Sequence, residues 1–422
     1  MEEQKTPQEE SIQNEEQEKY SFMQEVIKDE TDSATKMRNN IFRTIGYGLI
    51  LGVAASVAFC AFKPWVETKF NSSPKQVEIP KDEEEEKQEE EPVKDEKQEP
   101  DADGYRQVIQ SLGTTAAEAK SSLVVVSKAA QDGGQEQAVR EGISGVIIAD
   151  NGREFLILSN ILPVRKSETV QVTFFDGKSY SAMLKKQDVN LGIGVYAVEK
   201  KEIDQNIWSK IPVAKLGNSL LMENGDTVIV AGKPFGTDIS VSYGIIAADE
   251  EDVEKADGHY RLLCTNIACE GTGSGVILNK KGQVVGLINQ SALGEGSDGR
   301  IGGYGISDIK EIVELLSNGS DIPYTGIYGM DVTDKLMKKG MPQGVYVKEV
   351  AADSPAMAAG IQSGDVIVGI NGENIVSLSN YHSILMGLHS GTVIHLNGCR
   401  QGQKDEYVEI DFEVTVGIIN KE

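Results

Sequence analysis

Ser274, in the glycine-rich stretch 271–275 (GTGSG), is a candidate nucleophile. A serine nucleophile needs a base within hydrogen-bond reach, most often a histidine. The chain has only four His, and His259 alone precedes residue 321. His259 follows the turn dipeptide Asp257-Gly258, so we expect a surface turn histidine there rather than a base.

Two other routes to a nucleophile stay open. A lysine can activate a serine, and Lys280 and Lys281 are the nearest bases to Ser274 in sequence; the opposing interpretation is a turn serine bonded to local backbone. Cys264 and Cys269 are candidate thiol nucleophiles or a short disulfide, but no neighbouring residue type would lower a thiol pKa, so we expect buried thiols. No C-x-x-C pair or other pattern indicates a metal or a cofactor.

Composition excludes several classes of protein. The 422 residues are 39% apolar and 25% charged, which is ordinary for a globular protein of two or three domains. Forty-one Lys and Arg against 66 Asp and Glu give a net charge of −25. The chain therefore lacks the positive surface that a nucleic-acid partner requires. Four Cys are too few for a disulfide-dense scaffold.

The amino-terminal part divides by composition into three segments that are not globular. Residues 1–43 are acidic and poor in apolar side chains, which predicts a disordered tail. No residue from Thr44 to Phe62 is charged, and the length matches a hydrocarbon core, which predicts a single transmembrane helix. A basic cluster within residues 36–43 predicts a cytoplasmic amino terminus. Residues 63–104 contain a block of like charge and several Pro, which predicts an extended acidic linker.

The globular part begins with a helix predicted over Tyr105–Lys120, and short strands dominate after it. Segments rich in Val and Ile are separated by Gly, Asp, Asn or Pro turns, which is typical of a sandwich or a barrel. The hairpin signal Asp176-Gly177 favours antiparallel pairing. The predicted strands include Gly145–Ala149, Phe155–Leu158, Val170–Phe175, Ile193–Val198, Thr227–Ala231, Ser240–Ile246, Arg261–Thr265, Gly275–Leu278 and Val284–Ile288.

A second unit follows an amphipathic helix predicted over residues 308–317, with Asp308 at its start. Its predicted elements are the strands Gly344–Val350, Asp365–Ile370 and Val393–Asn397 and the helices Ser354–Ala359 and Ser379–Leu388. About 100 residues of this pattern fit a small α+β module.

Residues 105–422 resemble the HtrA/DegP-like family of trypsin-like serine proteases. The resemblance rests on GISGVI at 142–147, VTFFDGKSYSAMLKKQD at 172–188, KLGNSLLMENGDTVIVAGKPFG at 215–236, SVSYGIIAA at 240–248, GQVVGLIN at 282–289 and YGISDIK at 304–310. It implies a mostly β fold, with a trypsin-like double β-barrel over 105–320 and an α+β PDZ domain over 321–422, behind the single amino-terminal transmembrane helix.

The chain departs from the family where the catalytic triad belongs. The family's His ends a phrase like L-T-N-x-H-V-V, and the matching stretch 158–164 (LSNILPV) has Leu162 at that place. The family's Asp begins D-L-A-V, and the matching position is Gly192. The family's Ser lies in G-N-S-G-G-P, which aligns with 271–276 and puts Gly273 at the nucleophile. A degenerate, pseudoprotease-like member is therefore expected, with Gly271 and Gly273 as the backbone of an oxyanion hole.

The PDZ-like unit keeps the residue pattern of a peptide site. Residues 324–327, Tyr324-Thr325-Gly326-Ile327, match the family's carboxylate-binding phrase Y-L-G-I, whose successive N–H groups would hold a terminal carboxylate. In the following helix, Tyr381, His382 and Leu385 are candidates to contact ligand side chains, although Leu385 equally fits a core position.

The expected function is that of a membrane-anchored, catalytically inactive HtrA-like protein that binds peptides or protein C-termini at a bacterial cell envelope, with Gram-positive cells implied by resemblance. The alternative is an active serine endopeptidase of protein quality control that uses Ser274. A third is a sensor that signals from the PDZ domain to the cytoplasmic tail. Family members commonly trimerise through the protease domain, so a homotrimer is one expected state.

Overall fold

The structure is a computed structural model, and it describes Ser56 and residues 74–82, 102–129, 134–164, 169–236, 238–269, 273–294, 299–402 and 406–419. The residues described from 74 onward all belong to one compact unit, Ser73–Glu422. The predicted tail and, Ser56 apart, the predicted transmembrane helix at 44–62 lie outside the described residues. In the ranges that are described, no helix combines the length and the apolar character needed to cross a membrane.

The first barrel is a closed antiparallel sheet in the order β1-β2-β3-β6-β5-β4. Its strands are β1 Leu123–Lys128, β2 Ile143–Asp150, β3 Glu154–Asn160, β4 Val170–Thr173, β5 Ser179–Asp188 and β6 Ile193–Glu199. Runs of β-branched residues such as 123–126 (LVVV) are buried and fit the pleated inner surface. The predicted Asp176-Gly177 hairpin is confirmed, because it joins the paired strands β4 and β5.

The second barrel is closed in the order β10-β11-β12-β9-β8-β7. Its strands are β7 Thr227–Lys233, β8 Ser240–Lys255, β9 Gly258–Ala268, β10 Ser274–Asn279, β11 Val284–Asn289 and β12 Arg300–Gly305. β12 (RIGGYG) was not among the predicted strands, because three glycines remove the β-branched signal. Gly303 is required there, since a Cβ would lie 1.9 Å from the Leu287 carbonyl oxygen.

Helices cover the barrels at a few places. They are α1 Ala102–Lys120, α2 Gln135–Glu141, α3 Gln205–Trp208 and α4 Ile306–Ser317. α4 buries Ile309, Ile312, Val313 and Leu316, which share one face at helical spacing. α4 begins two residues before the predicted start, and the Asp308 carboxylate accepts a hydrogen bond from the Arg261 backbone N–H (2.8 Å) instead of capping the helix.

Part of the stretch predicted as an extended linker lies against helix α4. Residues 74–82 run along α4, where the Val77 N–H donates to Asn318 Oδ1 (2.9 Å) and the Ile79 N–H donates to Glu314 Oε2 (3.0 Å). The side chains of Val77 and Ile79 are buried in the core. These two apolar residues interrupt the charged stretch, and they let the chain dock on α4 there.

The carboxyl-terminal domain is built on one antiparallel sheet in the order β14-β15-β16-β18-β19, with β17 paired to β16, and on a separate pair, β13-β20. Its strands are β13 Pro323–Tyr324, β14 Ile327–Asp331, β15 Val345–Val350, β16 Val366–Ile370, β17 Glu373–Asn374, β18 Val393–Gln401, β19 Tyr407–Thr415 and β20 Gly417–Ile418. Its helices are α5 Asp334–Met337, α6 Pro355–Ala358 and α7 Leu378–Met386.

Candidate functional site

The three positions where the sequence predicts a vacated triad all lie beside strand ends of the two barrels. Leu162 follows the end of β3, Gly192 immediately precedes β6, and Gly273 immediately precedes β10. The Ile161 N–H donates to the Gly192 carbonyl (2.9 Å), which joins the first two segments. Asn160 Nδ2 donates to the Ile288 carbonyl of β11 (3.1 Å), which ties this end of β3 to the second barrel.

Leu162 is part of the first barrel's apolar core. Its side chain is buried, and its backbone N–H donates to the Tyr196 hydroxyl (2.8 Å). A leucine side chain has no atom that can accept or donate a proton. This position therefore contributes packing rather than acid-base chemistry.

Gly192 lies in the left-handed region, with φ of +71°. An L-residue there would be strained, although a Cβ would have room, since its nearest neighbour would be Asn289 Nδ2 at 3.6 Å. The neighbouring carboxylate, Asp188, is buried and accepts from the N–H groups of Asn190 (2.8 Å) and Leu191 (3.3 Å). Burial raises the pKa of Asp188, while those two bonds act in the opposite direction.

Gly273 is in close contact with the Pro234 carbonyl group. A Cβ on Gly273 would lie 2.2 Å from the Pro234 oxygen, which is closer than real atoms approach. The Cys269 thiol donates to the same carbonyl oxygen (2.9 Å) and is buried, as expected for an unreactive thiol. Gly271, the other predicted oxyanion residue, lies outside the described residues.

Ser274, the alternative nucleophile, is the first residue of β10 and is buried. Its Oγ accepts a hydrogen bond from the Ser144 N–H (2.9 Å), and the Ser144 carbonyl in turn accepts from Ser159 Oγ (2.8 Å). The partner of Ser274 is thus a strand of the other barrel and not the local turn backbone that the sequence suggested. The hydroxyl joins the two barrels.

The lysine that lies opposite Ser274 on the neighbouring strand is Lys233. It is not Lys280 or Lys281, the two lysines that the sequence suggested. Lys233 stands opposite Ser274 in the β7–β10 register, whereas Lys280 and Lys281 are exposed beyond the far end of β10. Lys233 is 1% exposed, and its Nζ donates to the carbonyls of Val139 (2.9 Å), Arg140 (2.6 Å) and Gly142 (2.5 Å).

The hydrogen bonds of Lys233 decide its chemistry. Burial lowers the pKa of its ammonium group. Three carbonyl oxygens nevertheless require three N–H donors, which only the protonated ammonium has. The amine has no lone pair available to take a proton from Ser274 while these bonds are made. Lys233 fastens the end of α2 to β7 instead of acting as a base.

In the carboxyl-terminal domain, the backbone N–H groups of the predicted carboxylate loop converge on one carboxylate. The N–H groups of Thr325 (2.7 Å) and Gly326 (2.8 Å) donate to Asp257 Oδ2, and the Ile327 N–H donates to Oδ1 (3.0 Å). The hydroxyls of Thr325 and Tyr381 also bond to Oδ1. Tyr324 is the fourth predicted loop residue, and burial raises the pKa of its phenol to about 12.

The three candidates in α7 have different roles. Tyr381 is fully buried and faces the carboxylate loop, and burial raises its pKa well above the ordinary value. His382 Nδ1 lies 2.8 Å from the Asp257 carbonyl oxygen and must carry the proton, because a carbonyl only accepts. Leu385 is fully buried, which confirms its alternative interpretation as a core residue.

Sequence reasoning missed two residues of these sites, Lys233 and Asp257. Asp257-Gly258 reads as an ordinary turn, and nothing in its spacing indicates a partner 68 residues away. Lys233 lies two residues beyond the predicted strand Thr227–Ala231, and in the structure it is the buried, charged last residue of β7. His259 is exposed near Asp252, as predicted, but it lies in β9 opposite Glu254 and not in the turn itself.

Comparison with known proteins agrees with the two-domain architecture. The family model described as trypsin-like peptidase domain matches residues 143–287, and the PDZ domain model matches residues 346–396. The chain is 27% identical over 299 residues to "Serine protease Do-like HtrA" of Lactobacillus helveticus, an alignment that covers 66% of this chain and 70% of that protein. It is 28% identical over 295 residues to the protein of the same name from Bacillus subtilis, covering 65% and 64% respectively.

A solved structure shows the same fold at low identity. The "HtrA-type protease AlgW with tripeptide" superimposes with a TM-score of 0.51 and 20% identity, covering 74% of this chain and 98% of that chain. The two closed barrels and the PDZ module described above account for this likeness. The chain is thus HtrA/DegP-like, with a trypsin-like serine protease fold followed by a carboxyl-terminal PDZ domain.

Proposed function

We propose that this protein is a non-catalytic, HtrA-like binding protein, anchored in the membrane of a bacterial envelope, that takes up peptides or protein C-termini through its PDZ domain. The observation that carries the proposal is the side-chain chemistry of three positions. Leu162, Gly192 and Gly273 stand where the resemblance puts the base, its orienting carboxylate and the nucleophile. None of the three can transfer a proton or attack a carbonyl.

The expected rate supports a binding role. Removal of a whole triad leaves roughly 10³–10⁴-fold acceleration over water, from oxyanion donors and substrate binding alone. Peptide turnover at that rate is negligible, since enzymes typically accelerate reactions by about 10⁶-fold or more. Ser274 and Lys233 do not serve as an alternative nucleophile and base in this proposal. The Ser274 Oγ accepts from the Ser144 N–H, and the Lys233 Nζ donates to three carbonyls.

Peptide binding is supported by the donors of the PDZ domain. The N–H groups of Thr325, Gly326 and Ile327 point to a single carboxylate position, which is the arrangement that would hold a terminal carboxylate. The AlgW structure that this chain resembles is itself described with a tripeptide. The membrane anchor rests on the uncharged stretch 44–62, and the homotrimer rests on the resemblance alone.

The test uses the purified full-length chain with a fluorophosphonate probe and with unfolded casein. We expect no covalent labelling and no casein cleavage above a heat-inactivated sample, and trypsin serves as the positive control. The matched variant is Ser274→Ala, which should behave as the parent does. Labelling of Ser274 that disappears in this variant, together with casein cleavage, would show that the protein is a serine endopeptidase.

A further inference from the structure

The β8–β9 hairpin of the protease domain ends inside the PDZ domain. Lys255 pairs with Gly258, so the hairpin tip consists of Ala256 and Asp257 alone. Tips of this kind normally face water. Here Asp257 is 3% exposed and Ala256 is 6% exposed, because residues of β14 and α7 surround the tip.

The carboxylate of Asp257 takes up all the donors of the PDZ loop. Three successive backbone N–H groups and the hydroxyls of Thr325 and Tyr381 bond to its two oxygens. The acceptor oxygens of this buried carboxylate and its donors satisfy one another. A second carboxylate cannot bind the same N–H groups, because like charges at this distance repel and no donor is left over.

The backbone of Asp257 also behaves as a ligand backbone would. Its N–H donates to the Ile327 carbonyl (2.7 Å), the first strand-type bond along β14, and its own carbonyl accepts from His382 Nδ1 (2.8 Å). Asp257 has φ of +60°, a left-handed conformation that few residues other than glycine adopt. The side-chain carboxylate therefore stands in for the carboxylate of a chain end.

We infer that Asp257 is the resident ligand of the carboxylate loop, and that a peptide with a free C-terminus binds there only by displacing the β8–β9 hairpin. The inference rests on the proposed peptide-binding function of the PDZ domain. Under this inference, the carboxylate loop of the PDZ domain is free only after the β8–β9 hairpin has left it. Binding of a peptide and docking of the hairpin are then mutually exclusive.

The same hairpin supplies a matched control. Glu254, three residues before Asp257, forms an exposed ion pair with Lys348 of β15. This pair also links the two domains, but it lies in solvent and does not contact the carboxylate loop. Glu254→Gln removes one charge from the hairpin, as Asp257→Asn does, and leaves the five donors untouched.

The first measurement is amide hydrogen exchange at residues 325–327 in the full-length chain in detergent. We expect slow exchange in the parent and in Glu254→Gln. Exchange should be at least about tenfold faster at all three amides in Asp257→Ala, and in Asp257→Asn at the amides that face its NH2 group, which cannot accept a hydrogen bond. Asp257→Asn keeps the size of the side chain, so it covers the case in which Asp257→Ala fails to fold. Equal exchange in parent and Asp257→Asn overturns the inference.

The second measurement is binding of a peptide pool with four randomised terminal residues, either with free carboxylates or amidated. We expect the Asp257 variants to bind the free-carboxylate pool at least about tenfold more tightly than the parent, with no gain for the amidated pool. Equal affinity for parent and variants overturns the inference while the proposed function stands. Faster exchange without binding of either pool in any variant overturns the proposed peptide-binding function and leaves the Asp257 contact in place.

Discussion

The region of the predicted triad, here called the cleft, and the PDZ carboxylate loop differ in the groups that they present. In the cleft, the catalytic positions carry Leu162, Gly192 and Gly273, and the surrounding polar groups of Ser274 and Lys233 bond to backbone. In the loop, all the backbone donors remain, and one side chain, Asp257, occupies them. In the proposed function, the cleft lacks reacting side chains, whereas the loop keeps its donors and the hairpin residue Asp257 occupies them.

The proposal thus involves two kinds of inactivity. Absent reacting side chains cannot be restored by a conformational change, because no movement supplies an imidazole. Occupation by a side chain on a hairpin is an equilibrium that a competing ligand can shift. The comparison therefore predicts that cleft residues contribute to stability, and that the loop contributes to regulated binding.

The largest effect is expected from Lys233→Met. Three carbonyls, of which that of Gly142 is buried, lose their donor, so the free energy of unfolding should fall by about 2–4 kcal/mol. Urea unfolding measures the change, and the exposed Lys281→Met is the control, with an effect within about 0.5 kcal/mol. An unchanged free energy of unfolding in Lys233→Met would show that this lysine does not stabilise the fold. It would contradict the prediction that cleft residues contribute to stability.

Gly273→Ala tests whether the nucleophile position can accept a side chain at all. Because a Cβ would lie 2.2 Å from the Pro234 oxygen, the backbone must shift, and we expect a loss of about 1–3 kcal/mol in the free energy of unfolding. The control is Gly104→Ala in α1, where a Cβ meets nothing within 4 Å and alanine favours the helix. Unchanged stability of Gly273→Ala would mean that the cleft can be rebuilt by substitution.

The smallest change in stability is expected from Asp188→Asn, and its size depends on pH. Burial raises the pKa of Asp188 above its ordinary 3.8, so the folded state holds this proton more tightly than the unfolded state. The resulting stability is fully present below about pH 3.8 and is lost as the pH rises through the raised value. Asparagine does not ionise, and its oxygen still accepts from Asn190 and Leu191.

We therefore expect the melting temperature of Asp188→Asn, relative to the parent, to rise between pH 4 and pH 8. The gain should be about 2–4 °C, the change that about 1 kcal/mol produces in a domain of this size. Asp176→Asn is the control, since this aspartate lies in an exposed hairpin turn. A constant difference across that pH range would contradict the assigned effect of burial on Asp188.

Local pattern was sufficient for much of the fold. The Val- and Ile-rich runs between turn residues predicted the strands around 145, 155, 193 and 228, because β-branched side chains suit a buried pleated surface wherever they occur. The pattern did not predict β12, where glycines dominate, or the docking of residues 74–82, where two apolar side chains were hidden among charges. In both cases the reason lies in the neighbouring element, not in the segment.

The sequence by itself determined which chemistry the cleft lacks, since a side chain's ability to transfer a proton belongs to the residue type and only His259 precedes the PDZ domain. Only the tertiary structure decided what the remaining polar groups bind. Lys233 meets carbonyls about 90 residues earlier, and Asp257 meets amides 68 residues later. Such partners are fixed by how the barrels and the PDZ domain pack, because distance along the chain carries no information about distance in space.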